Sequence, residues 1–311
     1  MSRARLILNP SSGRERGPEA VELLSGRLRE RYDSLEISLT AGEGDAERAA
    51  QVALDDGCDA LFVAGGDGTL NEVMNGLAAA RGLDKLPVGI IPFGTGNDFA
   101  AALGVPVEVE EALDVLLQGR ELRADLGEVN GRVFVNTSGG GYIAEASTAV
   151  TPQLKTVAGR LAYLIGGAQA LFEFEPAQAS ISLEPGNHRL SHTLYAFAVC
   201  NSRLIGGGRL IAPDAVIDDG LLDVCLIEGM SALEFVALAR KVADGDHVND
   251  PRVLYMQAAS VTLDFEREVK VNTDGEVFEG TRCSYRVLPK AARFFAGDAP
   301  FASGGIPAGK A

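Results

Sequence analysis

The residues best suited to chemistry lie in short glycine-rich runs. Val63-Ala64-Gly65-Gly66-Asp67-Gly68-Thr69-Leu70-Asn71-Glu72 puts three glycines, a carboxylate and a hydroxyl into five residues directly after an apolar stretch. Glycine lets backbone N–H groups approach a phosphate closely, and a helix opening at that point favours negative charge. Thr69 can add a hydroxyl hydrogen bond. Asp67 would repel a phosphate, so it suits a water-mediated Mg²⁺ or the orientation of a nucleophile. A plain turn with an Asp cap is the simpler alternative, but it needs fewer turn residues than are present. A second run, Ile90-Ile91-Pro92-Phe93-Gly94-Thr95-Gly96-Asn97-Asp98-Phe99-Ala100, repeats the scheme: glycines flank Thr95, and Asn97 and Asp98 are natural helix caps. A third, Asn9-Pro10-Ser11-Ser12-Gly13, follows the first apolar run and would be weak alone.

Two acidic runs lie in the second half. Asp214-Ala215-Val216-Ile217-Asp218-Asp219-Gly220-Leu221-Leu222-Asp223 holds four carboxylates in ten residues. Such a turn can hold a hard cation, or it can be a hairpin built on Asp-Asp-Gly. Val271-Asn272-Thr273-Asp274-Gly275-Glu276 leads an alternating strand into Asp-Gly. It reads as a hairpin turn, or as a pair of carboxylates facing a cleft between domains.

The elements that must position these runs change character partway along. Up to about residue 124, strand and helix signals alternate: strands at Arg5–Leu8, Leu35–Leu39, Ala60–Ala64 and Pro87–Ile91, and helices at Pro18–Arg31, Asp45–Asp55 (Asp45 as N-cap) and Thr69–Ala80. Alternation of this kind predicts a parallel sheet covered on both faces, with ligands at the carboxyl ends of its strands, where the glycine runs fall. From Asp125 to residue 289 most segments read as strands: Val133–Asn136, Ala179–Leu183, Thr193–Cys200, Leu221–Ile227, Ser260–Phe265 and Ser284–Leu288. Helices interrupt them around Ala158–Phe172 and Ala232–Ala243. The expected architecture is therefore an α/β N-terminal domain over 1–124 and a mainly antiparallel β domain over 125–289. A disordered Gly/Pro/Ala-rich tail is expected from Ala299.

Composition narrows the function. The chain has 311 residues, enough for two cores, and a net charge of −15, which argues against a general nucleic-acid binder. A local basic patch could still meet an anionic membrane. The apolar start Leu6–Leu8 is too short for a signal-peptide core, and no run is long enough for a spanning helix. Cys58, Cys200, Cys225 and Cys283 are widely spaced and form no metal motif with His188, His192 or His247, so free thiols in a reducing cytosol are expected. Serine-triad chemistry is equally unsupported. Val157–Phe172, with Lys155 and Arg160 near its start, is apolar nearly all round. It is either a core helix or the lining of a lipid groove. Arg203 and Arg209, flanking Gly206-Gly207-Gly208, are either solvated or aimed at a phosphate or headgroup.

The three glycine runs resemble the catalytic domain of the diacylglycerol kinase family of lipid kinases. Gly-Gly-Asp-Gly-Thr at 65–69 and Pro-x-Gly-Thr-x-Asn-Asp at 92–98 are similar to its two loops, and the likeness continues through Asp125-Leu126-Gly127 and Asn136. The resemblance implies an N-terminal domain like those of phosphofructokinases and NAD kinases, a C-terminal β-sandwich, and a segment within 290–298 that returns to the first domain. It implies ATP as donor, held by Asn9, Pro10, Ser11, Ser12, Gly13, Thr40, Gly66, Asp67, Gly68, Thr69, Leu70, Asn71, Glu72 and Thr95. It also implies Mg²⁺, with a structural site formed by the Asp219 side chain and the carbonyls of Val216 and Leu221. A lipid hydroxyl loses its proton only as transfer proceeds, and an acidic residue of the 271–276 run would accept it. Glu276, the longer arm, is the first choice, with Asp274 close behind or serving Mg²⁺, and Asp67 as the third catalytic residue. Diacylglycerol is the implied acceptor, met transiently at the inner face of the membrane, and a homodimer is compatible with the sequence. Two other functions are considered: a silent nucleotide-binding regulator, and NAD kinase-like activity. NAD kinases share Gly-Gly-Asp-Gly-Thr but also carry Thr-Pro-Thr-Gly-Ser-Thr-Ala-Tyr, which is absent here.

Overall fold

Short β-branched and leucine-rich runs, bounded by glycine or Asp/Asn turns, form the strands of the first half. β1 (Arg3–Leu8), β2 (Ser34–Leu39), β3 (Ala60–Gly65) and β4 (Val88–Pro92) lie parallel in the spatial order β4-β3-β1-β2. The computed structural model describes residues 2–12, 18–148, 174–185 and 188–303. Helices α1 (Pro18–Arg29), α2 (Asp45–Asp55), α3 (Asp67–Ala79), α4 (Asp98–Ala102) and α5 (Val109–Gln118) connect and follow these strands. β3 is buried at every position, as a strand covered on both faces requires. Leu6, Phe62, Val63, Leu70, Val73 and Ile91 are at the centre of this core.

β5 (Glu121–Val129), β6 (Arg132–Phe134), β7 (Thr137–Gly141), β8 (Ala177–Glu184), β9 (His188–Cys200), β12 (Leu222–Glu228), β13 (Val253–Ala258), β14 (Ser260–Thr273) and β15 (Glu276–Phe295) are antiparallel to one another wherever they pair. The two-residue strands β10 (Leu204–Ile205) and β11 (Arg209–Leu210) form a separate hairpin. α6 (Tyr142–Thr148) follows β7, and α7 (Ala232–Lys241) follows β12. Alternation shows clearly in β8, whose odd-numbered residues are buried. This half holds two clusters. One, around Ile181, Phe197, Leu226, Leu263 and Val271, is sandwiched between strands. The other, around Tyr195, Ala198, Ile211, Phe235 and Leu238, lies under α6 and α7. The fold is thus an α/β domain joined to a β-sandwich-like domain, as expected.

The two halves share a sheet. β15 runs for 20 residues, pairs with β14 and β5, and reaches β4 at Phe294 opposite Val88. Phe295 stacks on Phe62 at 5.7 Å, and Phe294 meets Phe99 edge-on at 5.1 Å.

Several local expectations are corrected. The N-cap of α2 is Gly44, at φ 76°, not Asp45. The Asp45 carboxylate accepts the N–H groups of Ala41 and Gly42 at 2.7 and 2.8 Å, so it braces the preceding turn. α3 begins at Asp67 rather than Thr69. β5, β13 and α5, which were not expected, are present, and β14 and β15 are longer than their apolar cores because pairing with neighbours on each side extends them. The tail is placed further than expected: Ala299 and Phe301 are buried, and the Phe301 carbonyl accepts the Ile217 N–H at 2.8 Å. The 157–172 run, with Lys155 and Arg160, and Gly13 fall outside the described residues, as does 304–311.

Candidate active site

The carboxyl ends of β1, β3 and β4 bring the three glycine-rich runs together. The Asn9 side-chain amide donates to the Thr69 hydroxyl at 3.0 Å, while its carbonyl accepts the Ser11 N–H at 2.9 Å, tying the first loop to the second. Gly66 and Gly94 pass so closely that a Cβ on Gly94 would sit 2.6 Å from the Gly66 Cα, so this crossing of loops needs glycine. Thr95 is exposed at the tip of its loop, and Thr40 extends from the end of β2 with its N–H on the Leu8 carbonyl at 3.0 Å. Glu72 faces the start of α2, accepting the N–H groups of Gly44 and Ala46 at 3.0 and 3.3 Å. Desolvation raises its proton affinity against the pull of those two donors. Pro10, Ser12, Gly68, Leu70 and Asn71 complete the same group of loops, with Leu70 and Asn71 buried in α3.

Asp67 lies at the first residue of α3, with Gly66 as its cap. Its two oxygens accept the N–H groups of Asp98 and Phe99 at 3.2 Å each, and the Asn136 amide at 3.1 Å. Asp98, expected as a cap, instead reaches across to the second domain. Its carboxylate accepts the N–H groups of Gly207 and Gly208 at 3.1 and 2.8 Å. Burial raises its pKa, the glycine donors oppose the rise, and the Asp67 charge adds to it. Gly206, Gly207 and Gly208 have φ of 62°, 85° and 97°, a conformation that aims successive N–H groups inward. This flexible-looking run therefore holds a carboxylate of the chain itself. Arg203 is likewise committed: it donates to the Ala215 carbonyl at 2.8 Å and lies over the Phe301 ring at 4.7 Å. Arg209 is exposed.

Asp274 is the first residue of the turn between β14 and β15 and Glu276 the first of β15, but their surroundings differ. Asp274, at φ 47°, accepts the N–H groups of Val135 at 2.6 Å, Asn136 at 3.1 Å and Thr137 at 2.9 Å. Desolvation pushes its pKa up to about 7, against these three donors and with a contribution from Asp67. Glu276 lies toward the first domain, gripped by Arg132 at 2.9 Å on both oxygens, and Arg132 also reaches Glu47 at 3.3 Å. Glu276 and Arg132 keep 40% and 45% side-chain exposure, so this pair is solvated and cheap to open.

A cleft of about 930 Å³ begins at this polar end. Asp67, Asp98, Asn136, Thr137 and Asp274 line one end, and its walls are apolar: Tyr142, Ile143, Leu204, Ile205, Ile211 and Phe235. The buried Asn136 Oδ1 and Thr137 Oγ1 have no hydrogen-bond partner among the described residues. Sequence reading expected a cleft between the domains but not its walls, which come from α6, α7 and the β10–β11 hairpin. The Arg132 clamp was also missed. The one available signal was α7, whose sequence carries leucine and valine on more than one face.

The acidic loop lies apart, behind the cleft. Asp125 accepts the N–H groups of Gly220 and Lys290 at 2.6 Å each. The Asp219 carboxylate accepts the Leu221 N–H at 2.9 Å, so the turn is an Asx-type loop rather than a hairpin between two strands. Burial raises the pKa of Asp219, and the charges of Asp125 and Asp218 raise it further. Among the described residues, no cluster of three His, Cys, Asp or Glu side chains is arranged to hold a metal, and no donor reaches the carbonyls of Val216 or Leu221. One carboxylate with two unused carbonyls is a donor set that suits a hard cation.

Comparison with known proteins agrees across most of the length. Residues 3–129 match the diacylglycerol kinase catalytic domain, and residues 137–296 match the YegS C-terminal NAD kinase beta sandwich-like domain. The chain is 36% identical over 278 residues to a diacylglycerol kinase of Bacillus subtilis (strain 168), covering 89% of this chain and 90% of that one. It is 34% identical over 276 residues to a diacylglycerol kinase of Staphylococcus aureus (strain bovine RF122 / ET3-1), covering 88% and 86%. A solved structure of a candidate diacylglycerol kinase from Bacillus anthracis str. Sterne superposes with a TM-score of 0.78 at 25% identity, over 96% of this chain and 98% of that one. No described helix is long and apolar enough to cross a membrane. With both halves matched in order and relatives more than a third identical over nearly nine-tenths of its length, the chain belongs to the diacylglycerol kinase family.

Proposed function

We propose that the chain transfers the γ-phosphoryl of ATP to the hydroxyl of a diacylglycerol, giving phosphatidic acid and ADP. The observation that carries this reading is the apolar cleft whose polar end opens beside the phosphate-type loops. A hydrophobic wall suits acyl chains, and the few polar groups at one end suit a glycerol hydroxyl. The domain division follows the same logic: 1–124, with 290–298 returning, binds ATP, and 125–289 binds the acceptor.

ATP lies on Asn9–Gly13, Thr40, Gly66–Glu72 and Thr95, with backbone N–H groups and the Thr69 hydroxyl meeting its phosphates. The acceptor oxygen attacks the γ-phosphorus in line as the bond to the β,γ-bridging oxygen breaks. Glu276 is the group that takes the acceptor proton, swinging out of the solvated Arg132 fork. Asp274 has its lone pairs occupied by three backbone donors, so its part is to fix the 135–137 backbone at the cleft floor. Asp67, whose oxygens already accept three donors, would serve Mg²⁺ near the phosphates through water, and Val216, Asp219 and Leu221 would hold a second, structural ion. Bound Mg²⁺ would supply neutralisation of charge developing on the phosphoryl oxygens.

The acceptor is met at the inner face of the membrane by a cytoplasmic protein. The test is incubation of the purified chain with labelled ATP and a panel of diacylglycerol, other lipids and NAD. Label should enter phosphatidic acid. Label in NADP alone, or in no acceptor, would overturn the reading.

A further inference from the structure

One wall of the cleft is also an outer surface. α7 turns Phe235 and Leu238 inward, where both are buried. Its other side carries Leu233, 73% exposed, with Ala237 and Arg240 at helical spacing on the same face, also exposed. Val236 is 37% exposed and borders the cleft as well. An exposed leucine on the outer face beside a partly exposed valine at the cleft is an apolar surface on a chain with a net charge of −15. Of the nearby acids, Asp244 and Asp246 stay exposed beyond the end of the helix, while those on and beside it are paired. Glu234, the acid on this helix, is consumed by its capping box with Ser231 and by Arg252 at 2.8 Å. Asp250 is paired with Lys241 and Arg252. Arg209 and Arg240, which both line the cleft, have no carboxylate partner among the described residues. The net result is an apolar face beside an opening flanked by two uncommitted guanidinium groups.

We infer that the outer face of α7 docks on an anionic bilayer, with Leu233 and Ala237 entering the headgroup–acyl boundary and Arg209 and Arg240 meeting lipid phosphates. The inference rests on the reading of the cleft as an acceptor site. It adds that the acceptor enters beside α7, so that a diacylglycerol moves from bilayer to cleft without its chains crossing water. Binding of this kind combines buried apolar area with electrostatic attraction, so it strengthens with anionic lipid and weakens with salt.

The test uses the full chain and sedimenting vesicles of phosphatidylcholine, with and without phosphatidylglycerol. Wild type should co-sediment with the anionic vesicles. Leu233→Asp with Ala237→Asp, two positions outside the cleft lining, should lose at least tenfold in vesicle binding and in turnover of vesicle-embedded diacylglycerol. That variant should keep its melting temperature and its turnover of a water-dispersed short-chain diacylglycerol. Arg240→Glu should reduce the preference for anionic vesicles about fivefold or more. Wild type that stays in the supernatant, or a double variant that binds as well as wild type, would overturn the proposal. So would a chain that self-associates through this face, becoming monomeric in the double variant with vesicle binding intact. If wild type binds vesicles but phosphorylates neither form of diacylglycerol, the function falls while the docking surface stands.

Discussion

The two sides of the cleft are built by different means. On the proposed phosphate side, Asn9–Ser12, Gly66–Glu72 and Gly94–Asp98 are each a single short run at the end of a parallel strand, and the groups they would offer are largely backbone N–H. On the proposed acceptor side, Tyr142, Leu204, Ile211 and Phe235 come from three separate segments, α6, the β10–β11 hairpin and α7, and the groups they offer are apolar side chains. A phosphate has a fixed shape and charge, so one local turn can be specific for it. A lipid is recognised by the shape of a cavity, and no local run encodes a cavity. The consequence is that damage to the two sides should separate in kinetics.

The largest effects should come from the carboxylates at the junction. Glu276→Gln should lower kcat on the order of 10²-fold or more with little change in the KM for ATP, because a base acts on the acceptor proton in the transition state. Asp274→Asn should cost a similar factor by loosening the 135–137 backbone, and Asp67→Ala should abolish turnover through misplaced phosphates. Steady-state kinetics on the three variants decides the roles: a normal Glu276→Gln beside a dead Asp274→Asn would move the base to Asp274.

The next effects should fall on one side only. Gly94→Ala forces the two phosphate loops apart, so it should raise the KM for ATP at least tenfold and leave lipid binding alone. Ile205→Trp, which fills the cleft, should raise the acceptor KM by about 10-fold and leave ATP untouched. If either variant shifted both constants equally, the two sides would have to be treated as one unit.

A smaller effect is expected behind the cleft. Asp219→Ala should lower the melting temperature by a few degrees and be partly rescued by excess Mg²⁺, since its proposed ion pins a turn. A variant as stable and active as wild type would remove the structural-ion reading.

The smallest effect concerns His247, which is fully buried, bonded through Nε2 to the Ile211 carbonyl at 3.0 Å, with Nδ1 unpartnered among the described residues. Ile211 lines the acceptor side, so the ring props that wall. Burial lowers its pKa below the ordinary 6.5. The unfolded chain then binds the proton more readily, so this contribution to stability is complete above about 6.5 and is lost as pH falls through the folded value. Urea unfolding of His247→Gln against wild type should show a difference that narrows or changes sign below pH 6.5. A difference constant with pH would exclude the titration.

Much of the nucleotide half was legible because its determinants are local. Apolar period, glycine turns and strand–helix alternation placed β1 to β4 and α1 to α3, and the composition of 65–69 and 92–98 pointed to phosphate. The sequence by itself also marked the two acidic runs as turns, since Asp-Gly turns are written in adjacent residues. Only the tertiary structure decided what those carboxylates face. Asp274 is saturated by β6–β7 backbone about 140 residues away, Glu276 is held by Arg132, and Asp98 is seated on Gly207 and Gly208. The cleft walls were decided there too. Pairing and packing between distant segments are set by the joint free energy of the whole core, and a residue's neighbours along the chain carry little of that information.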